Sequence, residues 1–311
     1  MKPLTPGELK GTWCTLLLPI NADNSIDYGS LENELDYLCA AGISGIYSNG
    51  TAGEFFNQTE AEFDRITLLL SEKCMKANIP FQIGASHMSP IISLERIQRS
   101  KVLSPGAFQV ILPEWVAVNA AEQLSFLWKI AEVATPVPIV LYNPPNARIA
   151  LNPSDLKKLA MEVEGLIGIK VAAGGPEWFE EMRSNHLGLS VFVTGHRLAT
   201  GIKEGVASGA YSNVACINPV SAYRWYELMH DNLGEALRIE ERILTFFTNY
   251  IFPLQKAGFS DMALDKFLAA IGGWSDMSTR LRWPYKGIDQ NHVVPTRKMC
   301  QQILPGFFAI K

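Results

Sequence analysis

Short apolar runs alternate with amphipathic stretches at nearly even intervals, and this alternation narrows the possible folds more than any other feature of the chain. Strand-like runs occur at Thr12–Leu18, Gly45–Ser48, Phe81–Gly84, Ala107–Leu112, Pro138–Tyr142, Leu166–Lys170, Ser190–Thr194 and Ala210–Val214. Helical patterns fill the intervals, near Ser30–Ala41, Glu60–Ala77, Ser93–Leu103, Ala120–Ala134, Pro153–Val163, Glu177–Ser184 and Arg197–Ser208. Thr59 ahead of Glu60 and Glu62 carries a helix-start signal, as does Ser30 ahead of Glu34, and Gly42 marks a stop. Strands separated by one helix each must run parallel, and eight such units are what a closed (β/α)₈ TIM barrel needs. The competing architecture, an open doubly wound sheet, carries a Gly-rich phosphate turn after its first strand; Leu18-Pro19-Ile20-Asn21 has none.

Beyond about residue 220 the strand pattern stops, and Tyr223–Leu233, Gly234–Phe252 and Ser260–Ile271 read as helices. The expected organisation is therefore a barrel over residues 1–220 and a C-terminal helical appendage over 221–311, with no low-complexity linker between them. A chain of 311 residues, 48% of them hydrophobic, can bury a sizeable core. A net charge of −4 with no basic stripe argues against a nucleic-acid partner. Five scattered cysteines, Cys14, Cys39, Cys74, Cys216 and Cys300, read as reduced packing residues, with neither a disulfide framework nor a zinc site. No apolar stretch reaches the ~18 residues of a membrane span, and the first residues do not resemble a signal peptide, so a soluble, cytoplasmic protein without membrane contact is expected. No spacing suits a metal ion, and no Ser or Cys sits in a nucleophile elbow.

In a barrel the chemistry lies at the carboxyl ends of the strands, and three such ends carry unusual residues. Lys170 closes the apolar run Leu166-Ile167-Gly168-Ile169-Lys170 and is followed by Val171-Ala172-Ala173-Gly174-Gly175. Taken alone it reads as a strand-end lysine snorkelling to water; held dry, its pKa falls and the neutral amine becomes a nucleophile toward carbonyl carbon. Tyr142 ends the fifth run ahead of Asn143-Pro144-Pro145. Alone it reads equally as a buried tyrosine with a satisfied hydroxyl. The third is Asn49-Gly50-Thr51-Ala52-Gly53-Glu54, either an ordinary Gly-rich loop or a turn whose N–H groups converge on an anion. Neighbouring strands lie about 4.8 Å apart, so Tyr142 and Lys170 share one face as an amine beside a proton-transferring phenol. With the loop as a carboxylate receptor, the three make a site for imine chemistry on a 2-oxo acid.

These motifs, with Gly11-Thr12 and Pro19, Gly168-Ile169-Lys170, Gly209-Ala210-Tyr211-Ser212 and Arg280-Leu281-Arg282-Trp283-Pro284, cover nearly the whole chain in order. The chain resembles the dihydrodipicolinate synthase/N-acetylneuraminate lyase family of class I aldolases. The resemblance implies a barrel with a C-terminal helical region, a homo-oligomer (tetramer or dimer), a Schiff base with pyruvate or a 2-oxo acid, and no cofactor. It assigns imine formation to Lys170, general acid/base work to Tyr142, and a hydrogen bond in the Tyr142 relay to Thr51. It also places Gly50, Ala52, Gly53 and Tyr211 among the substrate-binding positions.

Departures from the family pattern bear on the substrate. Ala52 stands where a second hydroxyl residue is usual, removing a donor to the carboxylate. The family's synthases place a tyrosine after the fourth strand; this chain has Pro113-Glu114-Trp115, and an indole cannot pass a proton on. Where the synthases carry an arginine shortly after the Tyr-Asn pair, Ala147 falls at the expected offset with Arg148 next to it. After the seventh strand the acidic residues of the sialic acid lyases give way to Gly195-His196-Arg197. His196 and Arg197 read either as a solvated helix start or as receptors for an anionic distal group, such as a second carboxylate. His87, after the third strand, is a loop residue at the same mouth. These substitutions favour a lyase acting on a 2-oxo(-3-deoxy) acid by aldol cleavage, condensation or dehydration. A 4-hydroxy-tetrahydrodipicolinate synthase and a non-catalytic 2-oxo-acid-binding homologue are the alternatives.

Overall fold

Eight strands, β1 (Gly11–Thr15), β2 (Gly45–Ser48), β3 (Phe81–Gly84), β4 (Ala107–Ile111), β5 (Ile139–Asn143), β6 (Leu166–Val171), β7 (Ser190–Phe192) and β8 (Gly209–Tyr211), pair in sequence order and close, β8 against β1, into an all-parallel barrel. The computed structural model describes residues 1–172 and 174–308; Ala173 and the last three positions of the 221–311 region lie outside the described residues. The crossover helices are α1 (Tyr28–Ala40), α2 (Glu60–Ala77), α3 (Pro90–Ser100), α4 (Ala120–Ala134), α5 (Pro153–Glu162), α6 (Pro176–Asn185) and α7 (Leu198–Lys203). After the barrel come α8 (Asn213–Ile217), α9 (Pro219–Asp231), α10 (Leu233–Phe246), α11 (Phe252–Lys256), α12 (Asp261–Gly272) and α13 (Val293–Ile303). None of these helices is long and apolar enough to cross a membrane.

Local chemistry explains the helix starts. Thr59, Asn119 and Asn152 each form a reciprocal capping box, with Glu62, Glu122 and Asp155, satisfying otherwise orphaned N–H groups. The structure also corrects several expected boundaries. The first run breaks at Thr15, because the Leu17 N–H donates to the buried Glu34 carboxyl (2.9 Å) instead of continuing a ladder. The last run breaks at Tyr211, where the Ser212 hydroxyl accepts from the Ala215 N–H (3.1 Å) and starts α8. The helix expected over Arg197–Ser208 is a 3₁₀ turn, Gly195–Arg197, followed by the short α7, and Gly205 leaves it at positive φ. The helix expected over Gly234–Phe252 splits into α10, a π-helical turn over Phe247–Ile251, and α11, whose Pro253 has no N–H to continue the ladder.

Two apolar layers result. One lies between strands and helices and runs on into the C-terminal helices. The other fills the barrel interior with Leu9, Trp13, Tyr47, Ala107, Val140, Ile167, Phe192 and Tyr211. Gly45 makes room for the Trp13 ring, because a Cβ there would lie 2.7 Å from it. Buried Gln82 and Gln109 add polar groups to this interior, and the Tyr211 hydroxyl donates to Gln82 Oε1 at 2.7 Å.

One buried ion pair ties the barrel to the helices beyond it. Lys266 Nζ lies 2.6 Å from Glu54 Oε1, with both side chains at most 1% exposed, and also donates to the Arg280 carbonyl at 2.8 Å. Glu54 Oε2 accepts from the Arg282 N–H (3.1 Å), and the Arg282 guanidinium pairs with Glu62 at 2.6 Å. Removing one member leaves the other charged and dry. Glu54→Ala is therefore expected to cost about 3–5 kcal/mol in urea unfolding, with Glu54→Gln/Lys266→Met recovering most of it. Equal losses in the single and double variants would show that the charges do not act as a pair.

Candidate active site

Strand register brings the first two expected residues together: Tyr142 on β5 pairs directly with Lys170 on β6. Lys170 Nζ lies 3.9 Å from the Tyr142 ring centroid, 5.3 Å from that of Tyr211 and 5.7 Å from that of Tyr47. The amine thus sits among three aromatic rings contributed by β2, β5 and β8. Burial lowers its pKa from the ordinary 10.5 to about 8, against the opposing pull of Asp265 and Asp261. A substantial neutral fraction is therefore present near neutral pH.

Burial pushes the Tyr142 phenol up, reinforced by the charges of Asp261 and Asp265, while the nearby Thr51 hydroxyl works the other way. The phenol stays protonated, with the Thr51 hydroxyl on the wall of the same cavity. Thr51 and Ala52 line the same cavity as Lys170. Gly50 and Gly53 do not line it and serve packing: a Cβ on Gly50 would lie 2.4 Å from the Tyr47 ring, and one on Gly53 would lie 3.1 Å from the Leu16 carbonyl oxygen. Asn49 and Glu54 take left-handed backbone at φ 52° and 51°, which turns the loop back over the barrel end. Tyr211 lines the floor of the cavity with its hydroxyl engaged by Gln82.

The basic pair after the seventh strand separates. His196 lines the cavity, its ring tilted 5.0 Å from that of Phe247 and edge-on 5.7 Å from that of Phe252, whereas Arg197 is exposed and not part of the cavity wall. Burial lowers the His196 pKa to about 4, so the ring is neutral at physiological pH. The Asn213 side-chain oxygen accepts from the His196 backbone N–H at 3.2 Å, so its amide nitrogen, 2.9 Å from Nδ1, donates and the ring proton resides on Nε2. The placement divides the pair: Arg197 is exposed, as a solvated helix start would be, whereas His196 lines the cavity, so the two do not face it together. His87, Trp115 and Arg148 lie off the cavity wall as well. His87 Nδ1 accepts from the Ser89 N–H (2.9 Å), Trp115 is 75% exposed, and the Arg148 N–H donates to Glu114 (2.8 Å).

The cavity, about 210 Å³, is completed by groups that the strand-end survey did not single out. Thr194 and Ser212 follow β7 and β8, Asn213 begins α8, and Phe247, Ile251, Gln255, Asp261 and Asp265 come from the helices beyond. Burial and the charge of Asp261 raise the Asp265 carboxyl to about 7, with Lys170 opposing. The signal for this wall was present in the sequence: Asp265-Lys266 interrupts the apolar stretch Met262-Ala263-Leu264 to Phe267-Leu268-Ala269-Ala270-Ile271, where charges are costly without partners. No cluster of three or more His, Cys, Asp or Glu placed to hold a metal ion occurs among the described residues.

The family model of the Dihydrodipicolinate synthetase family matches residues 8–302. An uncharacterized DapA-like lyase of Thermococcus onnurineus is 29% identical over 164 residues, 52% of this chain and 54% of that protein. A 4-hydroxy-tetrahydrodipicolinate synthase of Bartonella bacilliformis is 29% identical over 176 residues, 56% of this chain and 59% of that protein. The chain thus spans little more than half the length of these curated relatives. In three dimensions it is similar to YagE from E. coli K12, a prophage protein of the dihydrodipicolinic acid synthase family solved in complex with pyruvate, with TM-score 0.82 and 20% identity over 95% of this chain and 98% of that one. The fold, the order of the strand-end motifs and a family match across nearly the whole chain agree: the chain belongs to the Dihydrodipicolinate synthetase family.

Proposed function

We propose that this protein is a lyase that works through an imine between Lys170 and pyruvate or a 2-oxo-3-deoxy acid, with no metal or organic cofactor. The observation that carries the reading is the Lys170 amine held 3.9 Å from the ring of Tyr142, with Thr51 on the wall of the same cavity. The lyase relative and the pyruvate-bound structural neighbour support it. The Lys170 amine adds to the C2 carbonyl, and Tyr142 gives its proton to the carbinolamine oxygen as water leaves, forming the protonated imine. The resulting phenolate takes the proton from the C4 hydroxyl as the C3–C4 bond breaks, and the bond electrons pass into the iminium to give an enamine and a free aldehyde. Protonation of the enamine at C3 and hydrolysis then release pyruvate and restore the amine. The N–H groups of the Thr51-Ala52 turn face the substrate carboxylate in this scheme.

Ala52 without a hydroxyl and Trp115 exposed in place of a relay tyrosine favour cleavage or dehydration over the synthase reaction. Exposed Trp115, Val116 and Trp283 fit a homo-oligomer, and five free thiols fit a cytoplasmic setting.

Pyruvate with borohydride is expected to leave a reduced adduct on Lys170, read by peptide mass spectrometry, and to leave none in Lys170→Ala; an adduct elsewhere overturns the assignment. Tyr142→Phe is expected to lower kcat for cleavage by about 10²–10⁴-fold, because the general acid/base is gone. A second check uses pH. Only the neutral amine attacks, so the rate of adduct formation at subsaturating pyruvate should rise with pH and level off above about 8. The groups facing Lys170 that shape this profile are Tyr47, Tyr142, Tyr211, Asp261 and Asp265. A flat profile from pH 6 to 9 would contradict a lysine whose pKa stands at about 8.

A further inference from the structure

The cavity that holds Lys170 is roomier than a three-carbon acid needs, and its outer wall is acidic. Asp261 and Asp265 both line it from the start of α12. Their spacing of four residues places them on one helix face, together with Leu264 and Leu268 of the same wall. Lys266, the next residue after Asp265 on α12, is held by Glu54 and the Arg280 carbonyl, which anchors the helix to the barrel beside this wall. Asp261 accepts from Gln255 at 3.1 Å. The Asp265 carboxyl has no hydrogen-bond donor among the described residues, although it packs inside the cavity close enough to Lys170 for each charge to affect the other. Asp261 is exposed and Asp265 half-buried, so both carboxyls are open to the cavity, and a ligand that covers them must supply hydrogen-bond donors in place of solvent.

Other polar side chains of the cavity wall include Thr194, His196, Asn213 and Gln255. Among the described lining residues, Lys170 is the single lysine and there is no arginine. A tail ending in a carboxylate would meet two acidic groups and no free cation. A tail of hydroxyl groups would find acceptors at both aspartates and neutral partners at the other four.

We propose that Asp261 and Asp265 form the subsite for the distal half of the substrate and select a 2-oxo-3-deoxy acid with a hydroxylated tail over one ending in a second carboxylate. This inference rests on the imine reading above. It replaces an anion-receiving basic pair with a hydroxyl-receiving acidic pair supplied by the C-terminal helices. Held near a pKa of 7, Asp265 can donate as well as accept a hydrogen bond, which suits a hydroxyl and still leaves the wall without positive charge.

The test uses two six-carbon acids that differ at one carbon, 2-oxo-3-deoxygluconate, with a terminal CH₂OH, and 2-oxo-3-deoxyglucarate, with a terminal carboxylate. Borohydride trapping of each on Lys170 at subsaturating concentration, and pyruvate release where turnover occurs, are measured for the wild type, Asp261→Asn and Asp265→Asn. Pyruvate trapping is the control for each protein. The wild type is expected to favour the gluconate derivative by about tenfold or more, and each Asn variant to narrow that ratio by about tenfold, the worth of one charge-assisted hydrogen bond. The narrowing should appear in KM more than in kcat, with each ratio normalised to the same variant's own pyruvate trapping, whose pH profile loss of an aspartate charge shifts downward. A variant too unstable to trap pyruvate leaves the decision to the other, since the two substitutions are predicted to act in the same direction. Wild type trapping pyruvate but showing no preference, or preferring the diacid, overturns this inference alone. An unchanged ratio in a variant that still traps pyruvate also overturns it. Absence of any pyruvate adduct in the wild type overturns the imine reading, and this inference with it.

Discussion

The Glu54–Lys266 ion pair is the contact on which the arrangement of the site depends. Glu54 ends the loop after β2 that supplies Thr51 and Ala52, and Lys266 lies on the helix that supplies Asp261 and Asp265. One interaction of 2.6 Å therefore holds two walls of the same cavity in register. Burying two charges costs several kcal/mol each, and the pair offsets this only because the Arg280 carbonyl and the Arg282 N–H take up the remaining hydrogen-bonding capacity. An apolar pair of similar volume could hold the helix to the barrel. It would not fix the position of α12 as closely, because apolar contacts are non-directional.

Within that frame the barrel does a second thing: it dries the amine. Lys170 lies at the end of a strand with apolar neighbours below and aromatic rings around it. Desolvation disfavours the ammonium more than the aspartates on α12 favour it, so the pKa falls to about 8. The same burial acts in the opposite sense on the phenol of Tyr142 and on the Asp265 carboxyl. A single physical cause thus yields a partly neutral amine, a protonated phenol and a carboxyl poised near neutrality in one cavity.

Much of this was legible in one dimension. The eight βα units follow from hydrophobic periodicity, and the Tyr142–Lys170 pairing follows from two strands ending at the same face. The boundaries that moved did so where a side chain captured a backbone N–H. Glu34 takes that of Leu17, and Ser212 takes that of Ala215, and neither capture is visible in an apolar pattern. His196 and Arg197 show a different limit. Adjacent basic residues look alike in a sequence, yet one packs against Phe247 and Phe252 on the cavity wall, and the other faces solvent.

The sequence by itself determined the parallel order of the strands and the strand ends at which Lys170 and Tyr142 meet. Each rests on local periodicity and on residue types at strand ends. Tertiary structure alone decided what surrounds the far side of that amine. Asp261 and Asp265 are more than 90 residues from Lys170 in the chain and reach it only because α12 packs across the barrel mouth. No local propensity encodes that approach. It arises from the long-range pairing of Lys266 with Glu54, 212 residues apart, and from the apolar layer that runs from the barrel into the C-terminal helices.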